Sequence, residues 1–186
     1  MRVVVLLAMA VGCVSGPPAR HVRPAPVHGI DPSVKVFQNP ENEAITEGET
    51  LLEIAPEVAY AELAKYESWP QIFPDIYSVT ITAQSGDDAR VTFVGPEDHH
   101  DNVHFHNRSA ANTIWFEDTG GSSTVWAEIA FLPGPRLGTT RVHSRLYADV
   151  GGVAGWFVSD NRVRKLREQR VYDDLFDLHA RFDHRH

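Results

Sequence analysis

The C-terminal stretch 153–182 places the strongest constraint on how this chain can fold. It contains no proline and only one glycine, so it can form one long helix. Apolar residues recur every three to five positions and give that helix a single apolar face: Val163, Leu166, Val171, Leu175, Leu178 and Phe182. A face of this length needs a partner, and we expect a sheet to cover it.

The sequence before this helix predicts an antiparallel meander. A first strand is expected over 44–55, followed by one or two short helices that start at Pro56. Six more segments of strand composition follow, separated by turn signals such as Pro133-Gly134-Pro135. They cover 77–84, 89–94, 102–109, 113–117, 123–132 and 139–149. The order of elements predicts an α+β domain with about seven strands.

Composition excludes several classes of protein. The chain has 186 residues, with 17 Lys and Arg against 25 Asp and Glu, and a formal net charge of -8. It has no cluster of basic residues for phosphate contacts, so we do not expect it to bind nucleic acid. The single cysteine excludes an internal disulfide and a cysteine-based zinc site. One globular domain stabilised by packing is expected.

The N-terminal residues have the layout of a bacterial export signal. Arg2 is followed by nine apolar residues, a run too short to span a bilayer. The run ends in Ala10-Val11-Gly12-Cys13, which is similar to a lipoprotein processing box, in which the cysteine is lipidated. Residues 1–12 are therefore expected to be a signal peptide and Cys13 a membrane anchor. The next residue is Val14 and not the Asp that retains lipoproteins at the inner membrane, so we expect the outer membrane, facing the periplasm.

The segment 13–41 has the composition of a tether. Six of the twelve prolines of the chain lie in residues 14–40. Prolines lack the backbone donor that a ladder or a helix needs, so we expect no regular structure there. The folded domain is expected to cover 42–186.

Three short motifs resemble the START-like (SRPBCC) superfamily, which includes polyketide cyclases, coenzyme Q-binding proteins and lipid-transfer domains. They are Ile-Ala-Pro-Glu-Val at 54–58, Trp-Pro-Gln-Ile-Phe-Pro-Asp-Ile at 69–76 and Gly-Thr-Thr-Arg-Val at 138–142. The resemblance covers about 44–182. It implies a helix-grip fold, in which a curved antiparallel sheet wraps around the C-terminal helix.

The resemblance also implies a cavity between sheet and helix that accepts an apolar or amphipathic molecule. Residues of the last strand and of the helix would line it: Val142, Ser144, Leu146, Trp156, Phe157, Val163 and Leu166. On the last strand, Arg141, His143 and Arg145 would point outward. The alternative is that these apolar residues simply fill a solid core.

Three functions remain open from the sequence. The first is binding or transport of a hydrophobic small molecule, such as a lipid, a quinone or a polyketide-like compound, without a cofactor. The second is a cyclase or dehydratase, for which one set of polar residues is conceivable: Arg108, Glu128, Ser144, Asp160, Arg164 and Arg167. Surface salt bridges explain the helix charges more simply, so we assign no catalytic residue. The third is a protein-binding scaffold with a filled core. Export favours the first, because polyketide chemistry normally uses carrier-bound intermediates in the cytoplasm.

A histidine-rich segment is the one candidate for a metal site. His104 and His106 would project from the same face of a strand, and a histidine or aspartate of the preceding loop Asp98-His99-His100-Asp101 could supply a third ligand for zinc or copper. Because Val103 and Phe105 alternate with them, we expect the two histidines to form an ordinary polar face without a metal.

The lipid anchor can be tested directly. Replacing Cys13 with Ser removes the only thiol that can be lipidated, so the protein should move from the membrane fraction to a soluble fraction after cell lysis. Immunoblotting of fractionated cells measures the change. A membrane fraction that is the same for both proteins would contradict the anchor.

Overall fold

A computed structural model describes residues 31–119, 124–149 and 160–183. Its strands are β1 (Lys35–Gln38), β2 (Ile45–Leu52), β3 (Ser78–Ser85), β4 (Asp88–Val94), β5 (His100–His106), β6 (Thr113–Asp118), β7 (Thr124–Pro133) and β8 (Thr140–Asp149). They form one sheet in the order β1-β2-β8-β7-β6-β5-β4-β3, in which all neighbours are antiparallel. The expected six-stranded meander is confirmed as β3 to β8. The order is that of an open sheet, with β1 and β3 at its edges.

The two edge strands are irregular in different ways. Strand β1 has four residues and lies in the segment expected to be an unstructured tether. It pairs with β2, with Lys35 opposite Glu49, so the sheet starts earlier than predicted and has eight strands. The ladder is possible because no proline lies between Pro32 and Pro40. At the other edge, the pairing of β3 with β4 shifts register between Ile81 and Ala83, which is a β-bulge.

Two short helices follow β2, as predicted. Helix α1 (Pro56–Leu63) has a proline at its start, where no backbone donor is needed, and buries Ala59 and Leu63. A 3₁₀ turn at Tyr66–Ser68 leads into α2 (Trp69–Ile72). The indole Nε1 of Trp69 donates a 2.8 Å hydrogen bond to the carbonyl oxygen of Leu63, which fixes α2 against the end of α1.

The long helix α3 (Asp160–Phe182) packs against β1, β2 and β8. Its buried apolar residues are Val163, Val171, Leu175, Leu178 and Phe182. This confirms the predicted apolar face and its partner for the described part of the stretch 153–182. The α+β helix-grip architecture is therefore present. None of the helices in the described ranges combines the length and the apolar character needed to cross a membrane.

Arg167 is buried in this apolar face, although a surface salt bridge was the simpler expectation. It lies one turn after Val163 and one turn before Val171, so it points at the sheet with them. Its guanidinium donates to the carbonyl oxygens of Glu43 at 2.7 Å and Ala148 at 3.1 Å. Burial lowers the pKa of Arg167. The side chain thus satisfies carbonyl groups at the ends of two strands.

A partly buried ion cluster joins α3 to the segment after α2. The Arg170 guanidinium makes two bonds to the carboxylate of Asp174, at 2.9 and 3.0 Å, and a further ion pair with Asp75. Asp174 lies one turn further along the helix, while Asp75 follows α2 in the chain. The cluster therefore holds the short helices next to the long one.

Gly48 sets the distance between α3 and the sheet. A Cβ atom at this position would lie 2.6 Å from both Leu175 Cδ1 and Val171 Cγ1, and 3.0 Å from the Lys35 carbonyl oxygen. Any other residue would push the helix away from β2.

We expect Gly48→Ala to lower the free energy of unfolding by about 1–3 kcal/mol, the usual effect of overpacking a core. Chemical denaturation measures this change. In a Val171→Ala/Leu175→Ala background the same substitution should cost less, because the two crowding side chains are shortened. An equal loss in both backgrounds would contradict the close contact.

Candidate functional site

The inner face of β7 and β8 is the surface that the sequence analysis assigned to a ligand. Val142, Ser144 and Leu146 point inward from β8 and are buried, whereas Arg141, just before Val142, is exposed on the outer face. On the neighbouring strand β7, the inward residues are Val125, Ala127, Ile129 and Phe131. The predicted alternation of β8 is confirmed, and the inner face of these two strands is apolar except at Ser144 and at Thr140 near the strand end.

The helix residues predicted for the site lie on the covering side. Val163 is buried and Leu166 is partly buried against the core. Trp156 and Phe157 lie outside the described residues, as do Cys13 and the rest of the expected signal and anchor. The structure therefore brings five of the seven predicted site residues to the interface between the sheet and α3.

Two of the hydroxyl groups at this interface, those of Ser144 and Thr50, lie on the neighbouring strands β8 and β2. Ser144 pairs across the sheet with Gly48, where α3 touches β2, and with Ile129 on the other side. Thr50 pairs with Val142 and is 2% exposed. Its Oγ1 atom has no hydrogen-bond partner among the described residues. A buried hydroxyl in that state costs about 1–3 kcal/mol.

Sequence reasoning did not single out Thr50. It lies in the alternating series of Thr46, Gly48, Thr50 and Leu52, in which every second residue faces α3. A polar residue in such a buried series is the signal that could have identified it. Thr46 in the same series is satisfied, because its Oγ1 accepts hydrogen bonds from Gln38 and Arg167.

An aromatic cluster fills the other half of the interior. Trp69 stacks on Phe93, with ring centroids 5.1 Å apart, and meets the edge of Phe105 at 5.5 Å. The cluster consists of Tyr66, Trp69, Phe73, Phe93, Phe105 and Phe116. These contacts connect α2 and the 3₁₀ turn with β4 to β6. Space for a ligand is therefore restricted to the region below β7 and β8.

Tyr66 carries the polar group of the aromatic cluster. Its hydroxyl accepts a 2.8 Å hydrogen bond from Asn107 Nδ2. Burial raises the pKa of Tyr66 to about 12, so the phenol is neutral at physiological pH. With that pKa the hydroxyl serves packing and is poorly suited to proton transfer near neutral pH.

The interior below β7 and β8 is closed in this conformation. The inward residues of the two strands keep between 0 and 6% of their surface accessible. Two elements cover them: α1, whose Tyr60 meets Phe131 edge to face at 6.4 Å, and α3. In the described part of the chain, entry of a lipid-sized molecule requires one of these covering elements to separate from the sheet.

The residues considered for cyclase chemistry are not brought together. Arg108 and Glu128 form a 3.6 Å ion pair, and Glu128 also lies 3.6 Å from Arg145, which the alternation of β8 places on the outer face. Ser144 lies on the inner face, and Arg167 is occupied by backbone carbonyl groups. Within residues 31–119, 124–149 and 160–183, these groups form no shared acid-base site.

The histidine segment forms a cluster of polar side chains on the outer face of the sheet. His104 and His106 project from the same side of β5, as predicted, with ring centroids 3.8 Å apart. The third residue beside them is Asp88 of β4, whose Oδ1 lies 2.8 Å from His106 Nδ1 and 3.8 Å from His104 Nε2. His99 lies beyond the opposite end of β5, where it contacts Asp101 at 3.1 Å.

The similarity of this chain to known proteins lies in its fold and not in matches to family models or curated sequences. No protein-family model matches it, and the search of curated proteins found no match. The fold, in contrast, occurs in many solved structures.

Three solved structures illustrate the likeness. A START superfamily protein from Mycobacterium smegmatis is 17% identical, with a TM-score of 0.62 over 75% of this chain and 97% of that chain. The Zhui aromatase/cyclase from Streptomyces sp. R1128 is 15% identical, with a TM-score of 0.60 over 82% and 95%. A STAR-related lipid transfer protein from Xanthomonas axonopodis is 13% identical, with a TM-score of 0.60 over 82% and 94%. The chain has the START-like helix-grip fold.

Proposed function

We propose that this protein binds or carries a hydrophobic small molecule between α3 and the inner face of β7 and β8. The ligand class is a lipid, a quinone or a polyketide-like compound. Proteins of the same fold include one described as a lipid transfer protein and one described as an aromatase/cyclase, which supports a ligand of this kind. Fold alone does not fix function, so the proposal depends on the chemistry of the interface.

The observation that carries the proposal is the unsatisfied Thr50 hydroxyl inside an apolar interface. Apolar side chains around it, including Val142, would contact the hydrocarbon part of a ligand. A carboxyl, carbonyl or hydroxyl group of the same molecule would satisfy Thr50, and Ser144 lies on the neighbouring strand within reach of the same head group. The ligand expected here is therefore amphipathic, with one polar end.

A membrane tether fits this function. Lipidation at Cys13 would hold the domain next to a bilayer of the cell envelope, which is a source of amphipathic molecules. The domain would then exchange its ligand at the membrane surface. We propose the outer membrane, facing the periplasm, because Val14 follows the cysteine.

A cyclase or dehydratase is the less favoured alternative. Such an enzyme needs an acid and a base that reach one substrate. Glu128 and Ser144 lie on opposite faces of the sheet, and Arg167 binds backbone carbonyl groups. Asp160 and Arg164 are exposed on α3. We therefore favour binding over catalysis.

Ser144→Trp tests the location of the ligand. The parent protein, after removal of any carried lipid, should bind a fluorescent fatty acid or a quinone analogue with micromolar or better affinity, about -8 kcal/mol. An indole at Ser144 would occupy the proposed volume, so binding should weaken at least tenfold in a fluorescence titration. Arg141→Trp adds the same side chain to the outer face of β8 and should leave binding unchanged.

Two results would contradict the proposal. One is a parent protein that binds neither probe and yields no lipid or quinone to mass spectrometry after organic extraction. The other is equal binding by Ser144→Trp and Arg141→Trp. Because a bulky side chain in a closed core also costs about 1–3 kcal/mol of stability, each variant is first checked by thermal unfolding.

Thr50→Val tests the polar end of the ligand. Valine keeps the shape and removes the unsatisfied hydroxyl, so the free energy of unfolding should stay constant or rise by up to about 1 kcal/mol. Fatty-acid binding should weaken about threefold to tenfold, the value of one net hydrogen bond. Denaturation and fluorescence titration measure the two effects.

Thr46→Val is the matched control on the same strand and face. Its hydroxyl accepts hydrogen bonds from Gln38 and Arg167, so the substitution should lower stability by about 1 kcal/mol. If Thr50→Val instead loses stability as Thr46→Val does and binds the fatty acid as tightly as the parent, the Thr50 hydroxyl has a structural partner and no ligand role.

A further inference from the structure

Three potential metal ligands converge on the outer face of the sheet, away from the proposed interior site. Asp88, His104 and His106 each offer one ligand atom, and these atoms all lie within 4.8 Å of one another. All three are on the solvent side of β4 and β5, because Ala89 and Phe105 next to them point into the core.

Strand pairing fixes this group of residues in place. Asp88 lies directly opposite His106 in the antiparallel register of β4 and β5. His104 lies on the same face of β5, two residues before His106. The sheet backbone therefore holds the three Cβ positions without any metal. The third ligand was expected in the loop before β5, because the sequence does not show which residue of β4 pairs with His106.

The spacing of the ligand atoms matches a small tetrahedral ion. Zinc bonds of about 2.0–2.2 Å at tetrahedral angles separate neighbouring ligand atoms by about 3.4 Å. The carboxylate oxygen of Asp88 lies 2.8 Å from His106 Nδ1 and 3.8 Å from His104 Nε2, so the values fall on either side of this spacing. Small side-chain rotations are sufficient to bring the three atoms to metal-bonding distance.

The ligand types select a class of metal. Two imidazole nitrogens and one carboxylate suit zinc and other divalent transition ions, whereas calcium and magnesium prefer oxygen ligands alone. Glu117 of β6 lies 3.7 Å from His106 Nε2 and adds negative charge beside the group. Asp88 is 62% exposed at its side chain, so a metal held there would remain open to a water or an added ligand.

We propose that Asp88, His104 and His106 form a surface site for a divalent transition-metal ion of the zinc type, with a fourth coordination position open to solvent. A depression of about 290 Å³ on the same face adjoins the site at His104 and includes Arg90, the residue opposite His104 on β4. This depression gives a small anion or a water room next to the open position. The proposal does not depend on the interior ligand.

Isothermal titration of the untagged, chelator-treated full chain with Zn²⁺ tests the site. We expect one zinc per chain with a Kd of micromolar order. His104→Gln, His106→Gln and Asp88→Asn should each weaken binding by tenfold or more, because each removes one of three ligands. His100→Gln is the matched control, since His100 lies on the same strand and face but outside the group. Its Kd should equal that of the parent.

A spectroscopic signal identifies where the metal binds. The ring of Trp115 on β6 lies 5.2 Å from that of His106, so Cu²⁺ at the site should quench its fluorescence. The quenching should disappear in Trp115→Phe and decrease when Zn²⁺ is present in large excess, because Cu²⁺ binds such ligands more tightly than Zn²⁺. In Trp115→Phe the Zn²⁺ affinity should remain that of the parent, because the indole is not a ligand.

Circular dichroism checks that the exposed substitutions leave the fold intact. A parent Kd for Zn²⁺ above 1 mM would overturn the proposal and support the ordinary polar face expected from the sequence. So would variants of Asp88, His104 and His106 that bind Zn²⁺ as tightly as the parent, because the metal would then be held by other histidines.

Discussion

Helix α3 lies so close to β2 at Gly48 that a single methyl group would meet Val171 and Leu175 at 2.6 Å. Much of the remaining architecture depends on this contact. It allows Arg167 to reach the carbonyl groups at the strand ends, and it sets the distance at which the Arg170 cluster can hold Asp75. The apolar face of the helix is thus in close contact with the sheet at Gly48. On either side of this contact, Arg167 forms hydrogen bonds and Arg170 forms ion pairs that hold the helix in place.

Two different kinds of packing cover the inner face of the sheet. Aromatic rings from α2 and the 3₁₀ turn fill the space below β4 to β6, and α3 covers β1, β2 and part of β8. The inner face of β7 and β8 lies between these regions under α1 and α3, and there the packing is mainly aliphatic, apart from the contact of Phe131 with Tyr60. Rearranging aliphatic contacts at Val142 or Leu146 disturbs fewer specific geometries than separating stacked rings, which supports this region as the proposed place of an apolar ligand.

Local patterns predicted the fold because they act over short distances in the chain. Alternation identified β8 and the inward position of Ser144, and helical spacing identified the apolar face of α3. The features that were missed are contacts between distant residues. The approach of α3 to Gly48 and the position of Asp88 beside His106 depend on register and packing, and an unsatisfied hydroxyl at Thr50 is visible only when its neighbours are known. Strand β1 was missed because its flanking prolines dominated the composition.

The two edge strands of the open sheet offer an additional strand few consecutive backbone groups for hydrogen bonding. Strand β1 has only four residues, and the bulge between Ile81 and Ala83 interrupts the register of β3. Unpaired edges are the surfaces through which sheet proteins stack into aggregates, and short or bulged edges reduce the number of consecutive hydrogen bonds that a neighbour can form. These irregular edges therefore favour separate molecules over a continuous β-structure between chains, which would matter most if the proposed anchor concentrates the protein on a membrane surface.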